Sequence, residues 1–178
     1  MTVAVRSIGR APALEISLAV ALSLVFALSA HVQIPFWPVP LTLQVLVVLL
    51  VGSFAGPRVA IAAFALYLAE GAVGLPVFAG TPARGIGLAY MAGTTGGYLL
   101  GQFAATALIS IFIERLRPAL RPALLLAGLV VIYALGAAWL ATFVGAERAW
   151  TLGVAPFLLG DAAKLGIASA AVLIRTRE

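Results

Sequence analysis

The sequence predicts an all-α, polytopic integral membrane protein with six transmembrane helices and both termini cytoplasmic, folded as one membrane domain over residues 1–178. Three observations predict it. The 178 residues are 63% hydrophobic and only 10% charged, with a mean hydropathy of +1.16. A soluble domain carries about 25% charged residues, so this chain lacks the side chains to cover its surface for water. Six apolar segments recur between breaks rich in Pro, Gly or charge, and the Lys and Arg residues sort to one side of them, as topology signals do.

The first segment covers residues 14–34. Arg6 and Arg10 followed by a run ending Ala27-Leu28-Ser29-Ala30 imitate a secretory leader, but the run continues through Val32 and Ile34 and five further segments follow, so it reads as a retained span. In Pro35-Phe36-Trp37-Pro38-Val39-Pro40 the prolines forbid a continuous helix. The second segment is 41–54, Gly56-Pro57-Arg58 makes a turn, and the third is 59–71. Both are short for the roughly 20 residues that cross a bilayer, which leaves a re-entrant hairpin open. A Gly- and Pro-rich irregular stretch, 72–87, precedes the fourth segment, 91–113. The charged break 114–122 leads to the fifth, 123–144. Gly145-Ala146-Glu147-Arg148 and Trp150 lead to the sixth, 155–174.

With the amino terminus inside, the cytoplasmic breaks hold Arg6, Arg10, Arg58, Arg115, Arg117, Arg121, Arg175 and Arg177, and the external ones only Arg84 and Arg148. Eight against two is a clear positive-inside bias. It places the Pro-rich first loop, the 72–87 loop and the start of the sixth helix on the external side. Those stretches hold most of the polar and aromatic residues that a membrane does not explain.

Small residues set the packing expectations. Gly93, Gly97, Gly101 and Ala105 line one face of the fourth segment and suit close contact with another helix of the same chain. In the first segment Ala19, Ser23 and Ala27 repeat the spacing beside a second series, Ala13, Ser17 and Ala21. Ala19, Ser23 and Ala27 suit packing within the chain and a partner subunit equally, and are carried here as the expected partner face; a homo-oligomer stays open.

Several chemistries are excluded. Without Cys there are no disulfides or thiolate sites, and His31 alone, at a helix end, builds no metal site. The chain has no Gly-x-x-x-x-Gly-Lys-Ser/Thr phosphate loop, no His-Glu-x-x-His and no Gly-x-Ser-x-Gly. Neither an enzyme nor a bound cofactor or metal is expected. Basic residues scattered singly between apolar runs do not suit nucleic acid; the lipid bilayer is the expected surrounding.

Asp161 and Lys164 break the last apolar segment, with no further charge until Arg175. Each costs roughly 2.5–3.5 kcal/mol inside a bilayer on insertion scales. Three apart on a helix, they can neutralise each other. Two readings follow: an ion pair that fastens helices, or a polar ligand site, the default for ionisable groups within a membrane. A small anionic amphipath suits the second. Arg84 and Lys164 would meet a carboxylate, and Asp161, Gln44 and Thr42 the N–H and C=O groups of a polar ring. Trp37, Phe36, Phe78 and Tyr90 would supply apolar walls. Trp37 and Tyr90 read equally as interfacial belt residues, Arg84 as a solvated one, and Glu70 as either a snorkelling group or a pocket wall.

Four motifs then resemble a known family in order and spacing: Pro38-Val39-Pro40-Leu41-Thr42-Leu43-Gln44, Gly71-Ala72-Val73-Gly74-Leu75-Pro76-Val77-Phe78-Ala79-Gly80, Thr95-Gly96-Gly97-Tyr98-Leu99, and Pro156-Phe157-Leu158-Leu159-Gly160-Asp161-Ala162-Ala163-Lys164. Together they are similar to the BioY family, the biotin-specific substrate-capture (S) components of energy-coupling-factor (ECF) transporters. The resemblance implies six helices and biotin capture from the external side. It also implies a separate transmembrane coupling protein with two ATP-binding-cassette ATPases, in a prokaryotic inner membrane. By motif, Asp161 and Lys164 fall on the family's polar pair and Thr42 and Gln44 on its first-loop motif. Arg84, the one basic residue of its loop, is expected at the valerate carboxylate. Two stretches depart from the family pattern: Thr81-Pro82-Ala83-Arg84, and Met91-Ala92-Gly93-Thr94 at the start of the fourth helix. The alternatives carried beside biotin uptake are another carboxylate-tailed vitamin (lipoate or a biotin precursor), a proton-coupled exporter titrating Asp161 or Glu70, and a membrane scaffold.

Overall fold

A computed structural model describes residues 12–34 and 38–175. Its helices are α1 (Pro12–His31), α2 (Gln44–Phe54), α3 (Pro57–Ala72), α4 (Gly87–Met91), α5 (Gly96–Phe112), α6 (Arg121–Val144), α7 (Ala146–Gly153) and α8 (Leu158–Arg175). Among the described residues four helical stretches are long and apolar enough to cross a membrane: Pro12–His31, Gly96–Arg115, Pro118–Val144 and Ala146–Arg175. Helix α2 is apolar but has 11 residues, and α3 has 16.

The expectation of a purely helical chain needs one correction. Gln33–Ile34 (β1) and Leu41–Thr42 (β2) pair antiparallel, Gln33 opposite Thr42 and Ile34 opposite Leu41. The two short strands form a small hairpin ladder, extended by the Leu43 N–H donating to the Val32 carbonyl at 2.9 Å. Proline bars helix there, and the backbone groups on either side satisfy each other instead.

The fourth segment does not begin at residue 91. It is split into α4 and α5 by a turn, in which the Gly96 N–H reaches the Gly93 carbonyl at 3.1 Å. Trp139 Nε1–H also donates to Gly93 O at 2.9 Å, tying the turn to α6. Thr94 and Thr95 favour such a turn over a helix interior. The break before the sixth segment is likewise structured. Helix α7 lies across it, and the Tyr98 hydroxyl donates to the Gly153 carbonyl at 2.8 Å.

Helices α5 and α6 form the most extensive pair, followed by α1 with α3; α2 packs on α5 and α8. The small-residue face of α5 is what lets α6 approach. A Cβ at Gly101 would stand 2.8 Å from Ile132 Cα, and one at Gly97 would collide with Trp139. In α1 the stripe buried against the chain holds Ala19, Ser23 and Phe26, with Ala27 half-buried beside it. Ser23 Oγ donates to Glu70 Oε1 of α3 at 2.9 Å. The expected partner face of Ala19 and Ser23 is thus turned inward, whereas Ala13, Ser17 and Ala21 are exposed. Two series of equal spacing on one helix cannot both face the core; the one that does lies beside the buried Phe26 and carries Ser23, which bonds Glu70.

An aromatic chain runs up the interior. Phe26 meets Phe64 at 4.8 Å between centroids, Phe64 meets Tyr67 at 5.4 Å, Tyr67 meets Phe78 at 5.3 Å, and Phe78 stacks on Tyr90 at 4.9 Å. At the opposite end of the bundle Glu114 pairs with Arg121 at 3.1 Å and Arg175 at 3.6 Å, joining the ends of α5, α6 and α8.

Candidate functional site

The hairpin, the α4–α5 turn and the starts of α2 and α8 meet at one end of the bundle. On α8, Asp161, Lys164, Ala168 and Val172 are buried as one stripe. That stripe turns both charges inward, with the side chains 4% and 11% exposed. Lys164 Nζ donates to Asp161 Oδ1 at 2.6 Å and to the Thr42 carbonyl of the hairpin at 2.7 Å. The Tyr133 hydroxyl of α6 donates to Asp161 Oδ2 at 2.6 Å. The pair therefore fastens three elements together: α8, α6 and the hairpin.

Three cavities lie in a row beside it. A cavity of about 40 Å³ is lined by Asp161, Lys164, Tyr133, Thr42, Tyr98 and Gln102, among others. The next, about 30 Å³, shares Thr42, Tyr98 and Gln102 and adds Gln44, Tyr67 and Tyr90. The outermost, about 380 Å³, shares Tyr90 and Thr95 and is bordered by Arg84, Pro38 and Thr94. The inner two have room for a water or two. A larger ligand would need the hairpin and the 72–87 loop to move.

Arg84 and Thr94 hold those two parts together. Arg84 Nη1 donates to the Pro38 carbonyl at 3.0 Å, and Thr94 Oγ1 to the same oxygen at 3.2 Å. Tyr90 Oη–H donates to the Ala79 carbonyl at 2.8 Å. Burial pushes the Tyr90 phenol above its ordinary value, against smaller opposing effects of Thr95 and Arg84, which keeps it a neutral donor.

The structure thus brings Asp161, Lys164, Thr42, Gln44, Tyr90 and Arg84 to one end. Phe78 belongs to the site only indirectly. It is fully buried between Tyr67 and Tyr90 and lies over Gly71, where any Cβ would enter its ring, so it backs Tyr90 rather than walling a cavity. Trp37 and its neighbour Phe36 lie outside the described residues. His31 is exposed, its Nδ1 2.8 Å from the Ala27 carbonyl. Glu70 is neither a snorkelling group nor a pocket wall, but a contact between α1 and α3.

Sequence reasoning missed Tyr133, Tyr67 and Gln102, and met Tyr98 only as part of the motif at 95–99. Of the three missed, Gln102 alone carried a signal, a carboxamide inside an apolar helix. Among the described residues no group of three His, Cys, Asp or Glu could hold a metal. The arrangement offers hydrogen bonds and opposed charges in a buried site, which is equipment for binding.

The sequence model described as the BioY family matches residues 2–177. A probable biotin transporter BioY of Pyrococcus horikoshii is 40% identical over 164 residues, 92% of this chain and 94% of the relative. The biotin transporter BioY of Thermotoga maritima is 38% identical over 142 residues, 79% and 82% of the two chains. Among solved structures, the S-component for biotin from an ECF-type ABC transporter superposes with a TM-score of 0.78 at 21% identity, covering 93% of this chain and 92% of that one. That likeness establishes the fold.

Proposed function

The chain belongs to the BioY family, and we infer from this and from the site that it captures biotin for uptake. The family is one of multi-pass membrane transporters, not of enzymes. The observation that carries the site assignment is the buried Asp161–Lys164 pair braced on the Thr42 carbonyl, in a row of cavities that ends at Arg84. A row with polar groups at one end and a guanidinium at the other suits a ligand with a polar ring and a carboxylate tail.

In the proposed mechanism biotin enters between the hairpin and the 72–87 loop. Arg84 leaves the Pro38 carbonyl for the valerate carboxylate, and the bicyclic ring settles over Tyr90 toward Asp161, Lys164, Thr42 and Gln44. Trp37 supplies a further apolar wall. The site end faces outward and both termini inward. The opposite end supports this, since it carries Arg58, Arg115, Arg117, Arg121 and Arg175. Six spans follow if α2 and α3 each cross, short as they are.

The chain has no phosphate loop, so the energy comes from elsewhere. We assign it to a transmembrane coupling protein with ATP-binding-cassette ATPases in a prokaryotic inner membrane. The exposed Ala13, Ser17 and Ala21 are the small-residue face left on α1 for a partner or a second copy.

Titration of ligand-stripped, detergent-purified protein with biotin and, in parallel, lipoate tests the reading. Saturable binding of biotin with lipoate much weaker is expected. A folded protein that binds neither would refute it.

A further inference from the structure

Beside the ion pair the bundle buries polar atoms that the chain leaves unsatisfied. Gln102 Oε1 has no hydrogen-bond partner, Gln44 Nε2 and Tyr67 Oη make no well-formed bond and reach at best each other's side chains, and all three residues line the cavity of about 30 Å³. An unmet polar group in such surroundings costs about 1–3 kcal/mol, and native interiors keep few of them. Three in one place point to a group that arrives from outside the chain. The ion pair is different. Asp161 Oδ1 and Oδ2 are both engaged, and Lys164 Nζ has two acceptors. The open demand for hydrogen bonds lies one cavity away.

Gln102 faces both places. It sits on α5 one turn after Tyr98, is 7% exposed, and borders the cavity of Asp161 and Lys164 as well as that of Gln44 and Tyr67. Thr106 Oγ1 donates to its backbone carbonyl at 2.8 Å, a bond that leaves the side-chain amide unexplained. A carboxamide presents a donor and an acceptor in one plane, so it matches a ligand edge that carries N–H beside C=O.

We propose that Gln102 is a specificity-determining residue, whose carboxamide hydrogen-bonds the N–H/C=O edge of the ligand's urea-type ring at the boundary the two small cavities share. This rests on the biotin reading above and adds the group that selects for the ring. A ligand with the same acid tail but no such edge leaves the amide unmet on entry. Sites built to pair a polar group discriminate strongly against such ligands.

The test is titration of Gln102→Met and Gln102→Leu with biotin and lipoate, beside wild type, together with thermal unfolding of the unliganded proteins. Both replacements remove the amide while keeping an apolar side chain of comparable size. The biotin Kd is expected to rise about tenfold or more, as for a lost buried hydrogen bond. Lipoate binding does not weaken, and the unliganded Tm holds or rises because an unmet polar group has gone. A biotin Kd within about threefold of wild type in both variants, well under the loss of such a bond, overturns the proposal. So does a raised Kd accompanied by a lowered unliganded Tm in both, which would mark a structural role. Wild type failing to bind biotin overturns the function reading itself, a separate result.

Discussion

Replacing Lys164 by Met separates what the ion pair does for the fold from what it does for the ligand. The substitution keeps most of the apolar stem and removes two hydrogen bonds, to Asp161 Oδ1 at 2.6 Å and to the Thr42 carbonyl at 2.7 Å. It leaves a carboxylate whose side chain is 4% exposed with Tyr133 as its one remaining donor. Breaking a buried pair from one side costs about 3–5 kcal/mol, because the other charge stays behind. Replacing both partners by apolar groups is often neutral or stabilising by about 1–4 kcal/mol. Lys164→Met is therefore expected to destabilise by about 3–5 kcal/mol, and Asp161→Leu with Lys164→Met to recover most of that. Unfolding in detergent, followed by helical circular dichroism, reads both. Biotin titration of the same proteins should show binding lost in the double variant despite its restored stability. A double variant as stable as wild type that still binds biotin with wild-type affinity would refute the ligand role and leave the pair as a fastener. A single variant within about 1 kcal/mol of wild type would refute the argument from burial.

Three further outcomes follow from the geometry. Arg84→Ala should weaken biotin by about 1.5–3 kcal/mol, the range for a hydrogen bond to a charged group. Its effect on biotin methyl ester should be much smaller, and isothermal titration of acid and ester in parallel reads the difference. Tyr133→Phe removes a donor from Asp161 and should cost about 1–3 kcal/mol of stability, read by unfolding. Gly101→Val places a side chain against the Ile132 backbone and should destabilise by about 1–3 kcal/mol or more, whereas the same change at exposed Gly166, where nothing lies near a Cβ, should cost under about 1 kcal/mol.

How far the sequence disclosed this site depends on what kind of signal each residue leaves. Asp161 and Lys164 stood out because ionised groups are costly in an apolar run and need a reason to be there. Tyr133 left no such mark, since a phenol near a membrane surface is ordinary, and its role follows from α6 lying against α8. The helices at 12–31 and 121–144 followed hydropathy closely. Helix α5 began five residues later than expected because Gly93 to Thr95 form a turn held by Trp139, a contact 46 residues away that no local pattern encodes. The inward face of α1 was hidden for a different reason. Ala19 and Ser23 share their spacing with Ser17 and Ala21, and only tertiary contacts, Ser23 with Glu70 and the adjacent Phe26 with Phe64, distinguish them. Gln102 was legible as an amide in an apolar helix, but its importance comes from the unsatisfied atoms of Gln44 and Tyr67, which two other helices bring to it.

The i,i+3 placement of Asp161 and Lys164 also bears on how the protein is made. Helix α8 follows the other helices in chain order, and its two charges already have each other on the same helix. The helix can therefore enter the bilayer as a neutral unit, before any tertiary neighbour is in place. The Thr42 carbonyl and the Tyr133 hydroxyl then act as a latch that the last helix engages on arrival. A chain stalled before α8 would still have its hairpin, tied by Arg84 and Thr94 but without the Lys164 latch, so ligand binding would report completion of assembly as well as presence of the protein.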